Sequence, residues 1–239
     1  MIKIEIVNFS EKFDDIKYKE ELAYFKKYYG SEFKKNQGVE NILEMIQNHS
    51  VKGSWIDLGA GSNTYFWSAA FREIQEICCV DKTKESFLIT KAIRNGNLLS
   101  KCYDYIFEKY KSDVSRLFNL PINFYTANLL DGEDIKINKK YSNVSQFGLL
   151  GLSKNQEKYI RNFEKLDNFV EKGGVFLGAN WIFSTSYSSK KGFTNTYLSQ
   201  DLIQSIAQTY SYELCYFEKV EIEKDPNYNA VILYALEKK

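Results

Sequence analysis

The feature that most constrains this chain is a short apolar run that leads into an acid and two glycines, at residues 54–61. Asp57 ends the run, and Gly59 and Gly61 follow one residue apart. A short apolar run bounded by glycines favours a buried strand, and glycine lets the backbone turn tightly and approach a ligand closely. We therefore predict a strand of an α/β sheet that opens into a ligand-binding loop. A plain glycine turn is the alternative.

A second acid makes the prediction more specific. Residues 77–80 form another apolar run, and Asp81 follows it. Doubly wound nucleotide folds place an acid for the ribose ~20 residues beyond the glycine loop, and a carboxylate there can accept charge-assisted hydrogen bonds from hydroxyls. A dinucleotide fingerprint would need a third glycine where this chain has Thr64. The pattern predicts a nucleotide-type cofactor other than a dinucleotide.

Charge and cysteine content argue against several other classes of protein. The 32 Lys and Arg balance the 31 Asp and Glu, so no global field favours nucleic acid or a membrane surface. The four cysteines have no C-x-x-C spacing and His49 is the one histidine, so we expect neither a metal nor a disulfide framework. With no apolar leader and no run of ~18 apolar residues, we expect a cytoplasmic protein.

Alternating strands and helices predict a mainly parallel sheet with right-handed crossovers. Strands are predicted over residues 54–58, 76–81, 122–127, 143–147, 175–179, 213–221 and 230–236, and helices over 11–30, 39–48, 63–72, 84–94, 98–118, 155–170 and 199–209. No helix separates the last two strands, so they form an antiparallel pair at one edge. We expect one domain over residues 1–239, with a helical cap at 1–50 and a Rossmann-like core at 51–239.

Ligands of such sheets bind beyond the carboxyl ends of the strands. The residues that follow strand ends here are Asp57 with Gly59, Asp81, Asn128, Gly148 and Asn180. Because these ends meet at one edge of a parallel sheet, they are the first candidates for a binding site.

At these positions the chain resembles the class I S-adenosylmethionine-dependent methyltransferases, whose first motif has the same acid and glycines. Within that class it is similar to the nicotinamide, phenylethanolamine and thioether (indolethylamine) N-methyltransferases. The resemblance rests on a Tyr-x-x-x-Tyr-Tyr pattern at residues 24–29, the glycine loop with a tyrosine at 65, Asp81, residues 173–180, a Ser-rich segment at 184–187, and Phe193. It implies a seven-stranded Rossmann-like fold with an antiparallel last strand, an N-terminal helical lid, and S-adenosyl-L-methionine as cofactor.

The resemblance also implies roles for individual cofactor-binding residues. Tyr24 and Tyr29 would cover the cofactor; Gly59, Gly61 and Tyr65 would hold its methionine part in the loop that Asp57 begins; and Asp81 would hold the ribose. Asn128 stands where the family has an Asp that binds the adenine amino group, and an Asn carbonyl can still accept that bond. Ser86 stands where several members have a cofactor-binding Asn.

On the acceptor side the chain departs further from that family. Asn180 ends the fifth predicted strand where the family tends to keep an acid that engages the substrate, and a neutral Asn cannot pair with a cationic amine as Asp does. Asn195 falls near a family Ser, and Tyr187 lies in the Ser-rich segment. We predict that Tyr24 and Asn180 act at the reacting end, and that Asn180, Tyr187 and Asn195 contact the acceptor.

Three functions remain open at this point. Methyl transfer from a sulfonium needs mainly positioning of the nucleophile, and the sequence has neither an acid-rich metal cluster nor a well-placed histidine base. This favours a small-molecule acceptor whose nucleophile needs little deprotonation, and nitrogen is the nucleophilic atom that we expect first. The alternatives are a hydroxyl or carbon of a natural product, and a cofactor-binding module without catalysis.

Overall fold

The computed structural model describes residues 5–130 and 138–239, and these form an eight-stranded sheet with helices on both faces. The strands are β1 Glu5–Ile6, β2 Gly53–Leu58, β3 Ile74–Asp81, β4 Ile122–Thr126, β5 Tyr141–Phe147, β6 Val170–Phe183, β7 Tyr212–Glu221 and β8 Tyr228–Lys238. The helices are α1 Asp15–Tyr28, α2 Val39–His49, α3 Thr64–Ser68, α4 Ser86–Arg94, α5 Lys101–Lys109, α6 Val114–Asn119, α7 Gln156–Asp167, α8 Thr185–Lys191 and α9 Gln200–Thr209. Within these residues, no helix has the length and apolar character needed to cross a bilayer.

The sheet has the strand order β1-β4-β3-β2-β5-β6-β8-β7. The pairs from β4 to β6 are parallel, and β8 is antiparallel to both of its neighbours. This confirms the predicted Rossmann-like sheet, mainly parallel with an antiparallel last strand. The structure has one strand more than the seven predicted, and this additional strand is β1. Its two residues, which pair with Thr126 and Tyr125 of β4, are too few to show a periodicity.

Alternate side chains of the inner strands enter two separate apolar cores. In β3, Ile77 and Cys79 belong to a first core that includes residues of α1–α6, whereas Cys78 and Val80 belong to a second core with α7 and α9. Successive residues of a strand point to opposite faces, and a strand covered on both faces has a continuous apolar run. The helical layers therefore explain why this strand could be recognised from its sequence.

Two helical predictions differ from the structure, and one helix was not predicted. Residues 98–118 form two helices rather than one, because Lys111 between α5 and α6 has a φ of 50° that a helix cannot include. Helix α3, predicted to reach residue 72, ends at Ser68. Helix α8 was not predicted, and it buries no residue, so it has no apolar stripe to reveal it.

Helix α1 lies over the carboxyl ends of the strands while burying little of its own surface. Asp14 caps it by accepting hydrogen bonds from the N–H groups of Ile16 and Lys17. Phe25 is the buried residue of the helix, whereas Ile16 in its first turn is 70% exposed. The first turns of α1 are therefore attached to the sheet domain by few apolar contacts.

Candidate active site

The glycine loop lies at the switch point of the sheet, where β2 has β3 on one side and β5 on the other. Gly59 and Gly61 have φ angles of 73° and 52°, a region that glycine adopts readily and other residues rarely do. A Cβ atom at Gly61 would meet no atom within 4 Å, whereas one at Gly59 would stand 3.0 Å from the Leu149 Cβ. The backbone at Gly61 is thus open to whatever occupies the space beside it.

Asp57 is a buried carboxylate with a hydrogen bond to each oxygen. Its Oδ2 accepts from Thr64 Oγ1 at 2.9 Å and its Oδ1 accepts from Ser145 Oγ at 2.8 Å. The same Ser145 oxygen accepts from the indole N–H of Trp55 at 2.8 Å. Burial raises the pKa of Asp57 to about 7, although the two hydroxyl donors act in the opposite direction. The acid therefore joins β2, β5 and the start of α3 directly behind the glycine loop.

Asp81 holds the glycine loop from the end of the neighbouring strand. Its Oδ2 accepts a hydrogen bond from the Gly61 N–H at 3.0 Å, and its Oδ1 accepts from the Thr83 N–H at 2.8 Å. Burial raises the pKa of this carboxyl, and the two backbone donors oppose the rise. A carboxylate has about four acceptor sites, so each oxygen can accept a further hydrogen bond from a ligand.

A cavity with two adjoining compartments lies between α1 and the carboxyl ends of the strands. The loop compartment has a volume of about 380 Å³, and its walls include Glu21, Tyr28, Asp57, Gly61, Asn63 and Phe66. The strand-end compartment has a volume of about 360 Å³, and its walls include Ala127, Asn128, Gly148, Gly151, Phe183 and Tyr187. Both are lined by Tyr24, Gly59, Asp81, Phe147, Trp181 and Tyr228. Their sizes suit a nucleoside-sized ligand with a second small molecule beside it.

The tyrosines at the end of α1 occupy different positions in this cavity. Tyr24 lines both compartments and is 50% exposed, and its ring centroid lies 4.8 Å from that of Tyr28. Tyr29 lines the loop compartment but is buried, with its ring edge-on to Phe66 at 5.0 Å. Tyr24 is thus placed as a cover that contacts solvent, and Tyr29 as part of the fixed wall.

Most of the predicted site residues meet at this cavity. The walls contain Tyr24, Tyr29, Asp57, Gly59, Gly61, Asp81, Asn128 and Tyr187. Asn128 is exposed at the end of β4, and its Oδ1 accepts a hydrogen bond from the Leu130 N–H at 3.3 Å. The topology brings these residues together because each lies at the end of a strand, in the glycine loop, or in or directly after a helix beside the strand ends.

Tyr65 and Ser86 line neither compartment. Tyr65 is fully buried in α3 with its ring edge-on to Phe118 at 5.0 Å, and among the described residues its hydroxyl has no hydrogen-bond partner. Ser86 is fully buried at the start of α4, where its hydroxyl donates to the Thr83 carbonyl at 2.7 Å. Both residues have the sequence offset of the family motif but face the protein interior.

Asn180 and Asn195 also lie behind the cavity wall. The Asn180 amide donates to the Tyr159 hydroxyl at 3.0 Å, and its Oδ1 is buried with no hydrogen-bond partner in the part of the chain that the structure describes. That oxygen would be 3.2 Å from a Cβ at Gly151, a residue of the wall. Asn195 accepts from the Phe183 N–H and donates to the carbonyls of Gly151 and Trp181. Both side chains therefore support the wall rather than face the ligand space.

Sequence reasoning did not find the aromatic walls or the acid on α1. Phe147 ends β5, Trp181 follows Asn180 in β6, and Tyr228 begins β8, and all three line both compartments. Trp181 could have been found from strand alternation, because successive residues of a strand point to opposite faces and Trp181 follows Asn180. Glu21 of α1 also lines the loop compartment. The only sequence feature that indicates this is its distance of three and seven residues from Tyr24 and Tyr28, which places all three on one face of the helix.

The described residues contain no cluster of three or more His, Cys, Asp or Glu side chains that could hold a metal ion. His49 ends α2, with its ring 5.2 Å from that of Tyr216, and lines neither compartment. The acids Glu21, Asp57, Asp81 and Asp225 and the lysines Lys34, Lys82 and Lys191 line the walls. The geometry therefore offers carboxylates, ammonium groups and aromatic faces for binding a polar ligand.

The sequence matches no protein-family model and no curated protein. Its fold, however, is similar to that of many solved structures. The N-methyltransferase NodS from Bradyrhizobium japonicum WM9, in complex with S-adenosyl-L-homocysteine, aligns with a TM-score of 0.56 at 7% identity, over 94% of this chain and 99% of that one. A S-adenosylmethionine-dependent methyltransferase from Clostridium acetobutylicum ATCC 824 aligns with a TM-score of 0.55 at 11% identity, over 92% and 98%.

A third similar structure is the magnesium protoporphyrin IX methyltransferase from Synechocystis PCC 6803 with bound SAH, with a TM-score of 0.54 at 10% identity, over 96% of this chain and 90% of that one. At such low identities the likeness concerns the fold. The chain has the Rossmann-like fold that these methyltransferases share, with the glycine loop and Asp81 at the edge where that fold binds its ligands.

Proposed function

We propose that this protein is an S-adenosylmethionine-dependent methyltransferase that acts on a small molecule. The observation that carries the proposal is the joining of Gly61 and Asp81 by a hydrogen bond in the wall of one cavity at the switch point of the sheet. A fold shared with several methyltransferases supports it. We also propose that residues 1–239 form one domain. We propose further that the protein works in the cytoplasm, since all four cysteines are free thiols.

The residues present fit S-adenosyl-L-methionine. Asp81 has acceptor capacity left for ribose hydroxyls, the open backbone of Gly61 can lie against the methionine part, and Asn128 lies at the end of β4 for the adenine. Tyr24 covers this space from α1, and Tyr29, directly after that helix, forms part of its fixed wall. Since Tyr65 and Ser86 face the interior, we assign them the packing of α3 and α4 around the site.

In the proposed reaction the protein has mainly to position the acceptor and to exclude water. The cofactor supplies an activated methyl group on its sulfonium. Trp181, Phe147 and Tyr228 form a wall common to both compartments, and Tyr24 faces that cavity from α1. Rigid aromatic walls of this kind can hold an acceptor in a near-attack position. We propose that Tyr24 and Tyr187 contact the acceptor and that Asn180 and Asn195 hold the wall behind it.

A nitrogen nucleophile is the acceptor atom we favour. No histidine lines the cavity in the described residues, and two of its acids, Asp57 and Asp81, already have both oxygens in hydrogen bonds. A neutral amine or pyridine-type nitrogen needs no strong base. One similar structure is that of the N-methyltransferase NodS, which supports this choice. A hydroxyl or carbon acceptor, or a module that binds the cofactor without catalysis, are the alternatives.

Calorimetry followed by product analysis tests the proposal. We expect S-adenosylmethionine and S-adenosylhomocysteine to bind and NAD not to bind. Mass spectrometry of reactions with a panel of amines, pyridines, phenols and thioethers should then show a methylated nitrogen compound. Tight NAD binding would contradict the cofactor, a methylated phenol would select the first alternative, and binding without turnover on any panel member would favour the module.

A further inference from the structure

We propose that Glu21 is a second ribose-binding carboxylate, which accepts one ribose hydroxyl from the side of α1 while Asp81 accepts the other from the sheet. This inference rests on the proposed function, because it assigns a further residue to the same cofactor site. It predicts that the position of α1 over the cavity depends on a ligand with two adjacent hydroxyl groups.

Glu21 lies on the cavity-facing side of α1. Glu21, Tyr24 and Tyr28 are three and seven residues apart, which places them on one face of a helix, and all three line the loop compartment. Asp81 lines the same compartment from the end of β3. The two carboxylates therefore face one space from opposite sides, one on a helix and one on the sheet.

Glu21 differs from the other cavity acids in having no hydrogen bond. Asp57 and Asp81 accept bonds on both oxygens, and Asp225 accepts from the N–H groups of Asn227 and Tyr228. In the described residues, no donor and no ion pair reaches the half-buried Glu21 carboxylate. A carboxylate that is partly removed from water without a partner is unfavourable, so a ligand that donates to it would relieve this cost.

The charges around Glu21 are mostly negative. Asp81 faces it from the end of β3, Glu85 from the start of α4 and Glu20 from its own helix, and Lys82 is the opposing cation. Burial, and then the charge of Asp81, raise the pKa of Glu21. An empty cavity therefore leaves two like-charged groups facing each other, which opposes a closed α1.

A ribose can remove this repulsion because it places two O–H donors side by side. Each hydroxyl can donate to one carboxylate, and hydrogen bonds to charged acceptors are the stronger kind. Asp81 keeps its bonds to the loop while accepting one hydroxyl, which leaves the second for Glu21. The diol thus links α1 to the sheet, and a ligand without it would leave Glu21 unpaired.

A double-mutant cycle with modified ligands tests this assignment. Calorimetry would compare S-adenosylhomocysteine with its 2′-deoxy and 3′-deoxy analogues on the full-length wild type, Glu21→Ala, Asp81→Asn and Glu20→Ala. Glu20 is the exposed neighbour of Glu21 and serves as the matched control. We expect Glu21→Ala to weaken S-adenosylhomocysteine at least tenfold, and one deoxy analogue to bind wild type and Glu21→Ala equally.

The possible results separate this inference from the proposed function. If Glu21→Ala binds S-adenosylhomocysteine like wild type while Asp81→Asn does not, Glu21 is not a ligand but the cofactor assignment stands. If Glu21→Ala weakens all three ligands by the same factor, the residue does not act through a hydroxyl and the inference fails. If wild type itself does not bind S-adenosylhomocysteine, the proposed function fails and this inference with it. Unchanged circular dichroism of Glu21→Ala excludes misfolding.

Discussion

Asp57 is the residue whose surroundings have the clearest effect on stability. It is fully buried, it accepts hydrogen bonds from two hydroxyls, and burial raises its pKa to about 7. A carboxyl whose pKa is raised on folding binds a proton more tightly in the folded state than in the unfolded state. Its contribution to stability is therefore full below pH 4 and is lost as the pH rises through 7.

We predict that Asp57→Asn is more stable than wild type at pH 8, and that the difference shrinks as the pH falls toward 5. The expected difference is roughly 3–4 kcal/mol at most, since one pKa unit corresponds to about 1.4 kcal/mol. Asn can donate to and accept from Thr64 and Ser145, so the hydrogen bonds need not be lost. Urea unfolding between pH 5 and 8 measures the effect. Parallel curves for the two proteins would show that Asp57 keeps an ordinary pKa.

Asp81 permits a prediction about affinity. Asp81→Ala removes an acceptor of hydrogen bonds worth roughly 1.5–3 kcal/mol each, so the dissociation constant for S-adenosylhomocysteine should rise at least about tenfold. The variant also releases the Gly61 N–H, so Asp81→Asn, whose carbonyl oxygen can still accept a backbone hydrogen bond, serves as the comparison. Calorimetry gives the constants. Equal affinity of a folded Asp81→Ala protein would remove Asp81 from the cofactor site.

Trp181 and Asn180 allow the two faces of β6 to be compared. Trp181 lines both compartments, whereas the Asn180 amide donates a hydrogen bond to the hydroxyl of Tyr159 in α7. Trp181→Ala should raise the KM for the acceptor, and it should also lower the melting temperature because Trp181 packs against the first core. Asn180→Ala should lower stability by about 1 kcal/mol and change KM less. Steady-state kinetics and thermal unfolding of both variants measure this, and a larger KM effect for Asn180→Ala would put Asn180 in the acceptor pocket.

At the scale of elements, α1 is attached to the rest of the site by few buried side chains. Its first turns bury no side chain, and Tyr24 is half exposed where it lines the cavity. An element with few buried contacts opens at low free energy, and closure over a substrate is often coupled to turnover. We therefore propose that α1 acts as a lid over the cavity.

We predict that amide hydrogens in residues 11–30 exchange quickly in the free protein and that S-adenosylhomocysteine slows this exchange. Hydrogen exchange followed by mass spectrometry measures it, and α2, which buries Ile42, Leu43, Met45 and Ile46, provides an internal reference that should not change. Slow exchange of α1 without ligand would show that the helix is a permanent part of the core.

The elements that could be predicted from the sequence are those with a strong apolar pattern. Strand β3 has apolar residues facing both cores, and α2 buries four side chains on one face. Helix α8 buries none and gave no signal. The break at Lys111 depends on one backbone angle, which the apolar spacing on either side does not record.

The candidate site could be predicted where a role depends on the backbone or on the end of a strand, as for Gly61 and Asp81. It could not be predicted where a role depends on the direction of a side chain. Asn180 has the position of the family residue but faces α7, because even-numbered residues of β6 such as Phe176 belong to the second core. The same alternation turns Trp181 toward the cavity.

For the whole molecule, the proposal predicts stabilisation by ligand. A ligand that binds only the folded chain adds stability in proportion to the logarithm of its concentration, or about 2.7 kcal/mol at a hundred times its dissociation constant. S-adenosylhomocysteine should therefore raise the melting temperature, and NAD at the same concentration should not. Differential scanning calorimetry measures both, and equal shifts would indicate binding that does not depend on the proposed site.

The strand order also determines how the sheet can be assembled. Strand β8 follows β7 in the chain, yet it lies between β6 and β7 and is the only described neighbour of β7. During synthesis β7 therefore emerges before any partner, and its residues must wait in an unpaired state until β8 arrives. Strand β6 can pair with β5 as soon as it is made, whereas β7 reaches the sheet only through β8. The β8–β7 edge must therefore join the sheet last and as a unit, after the cofactor loop on the other half can already exist.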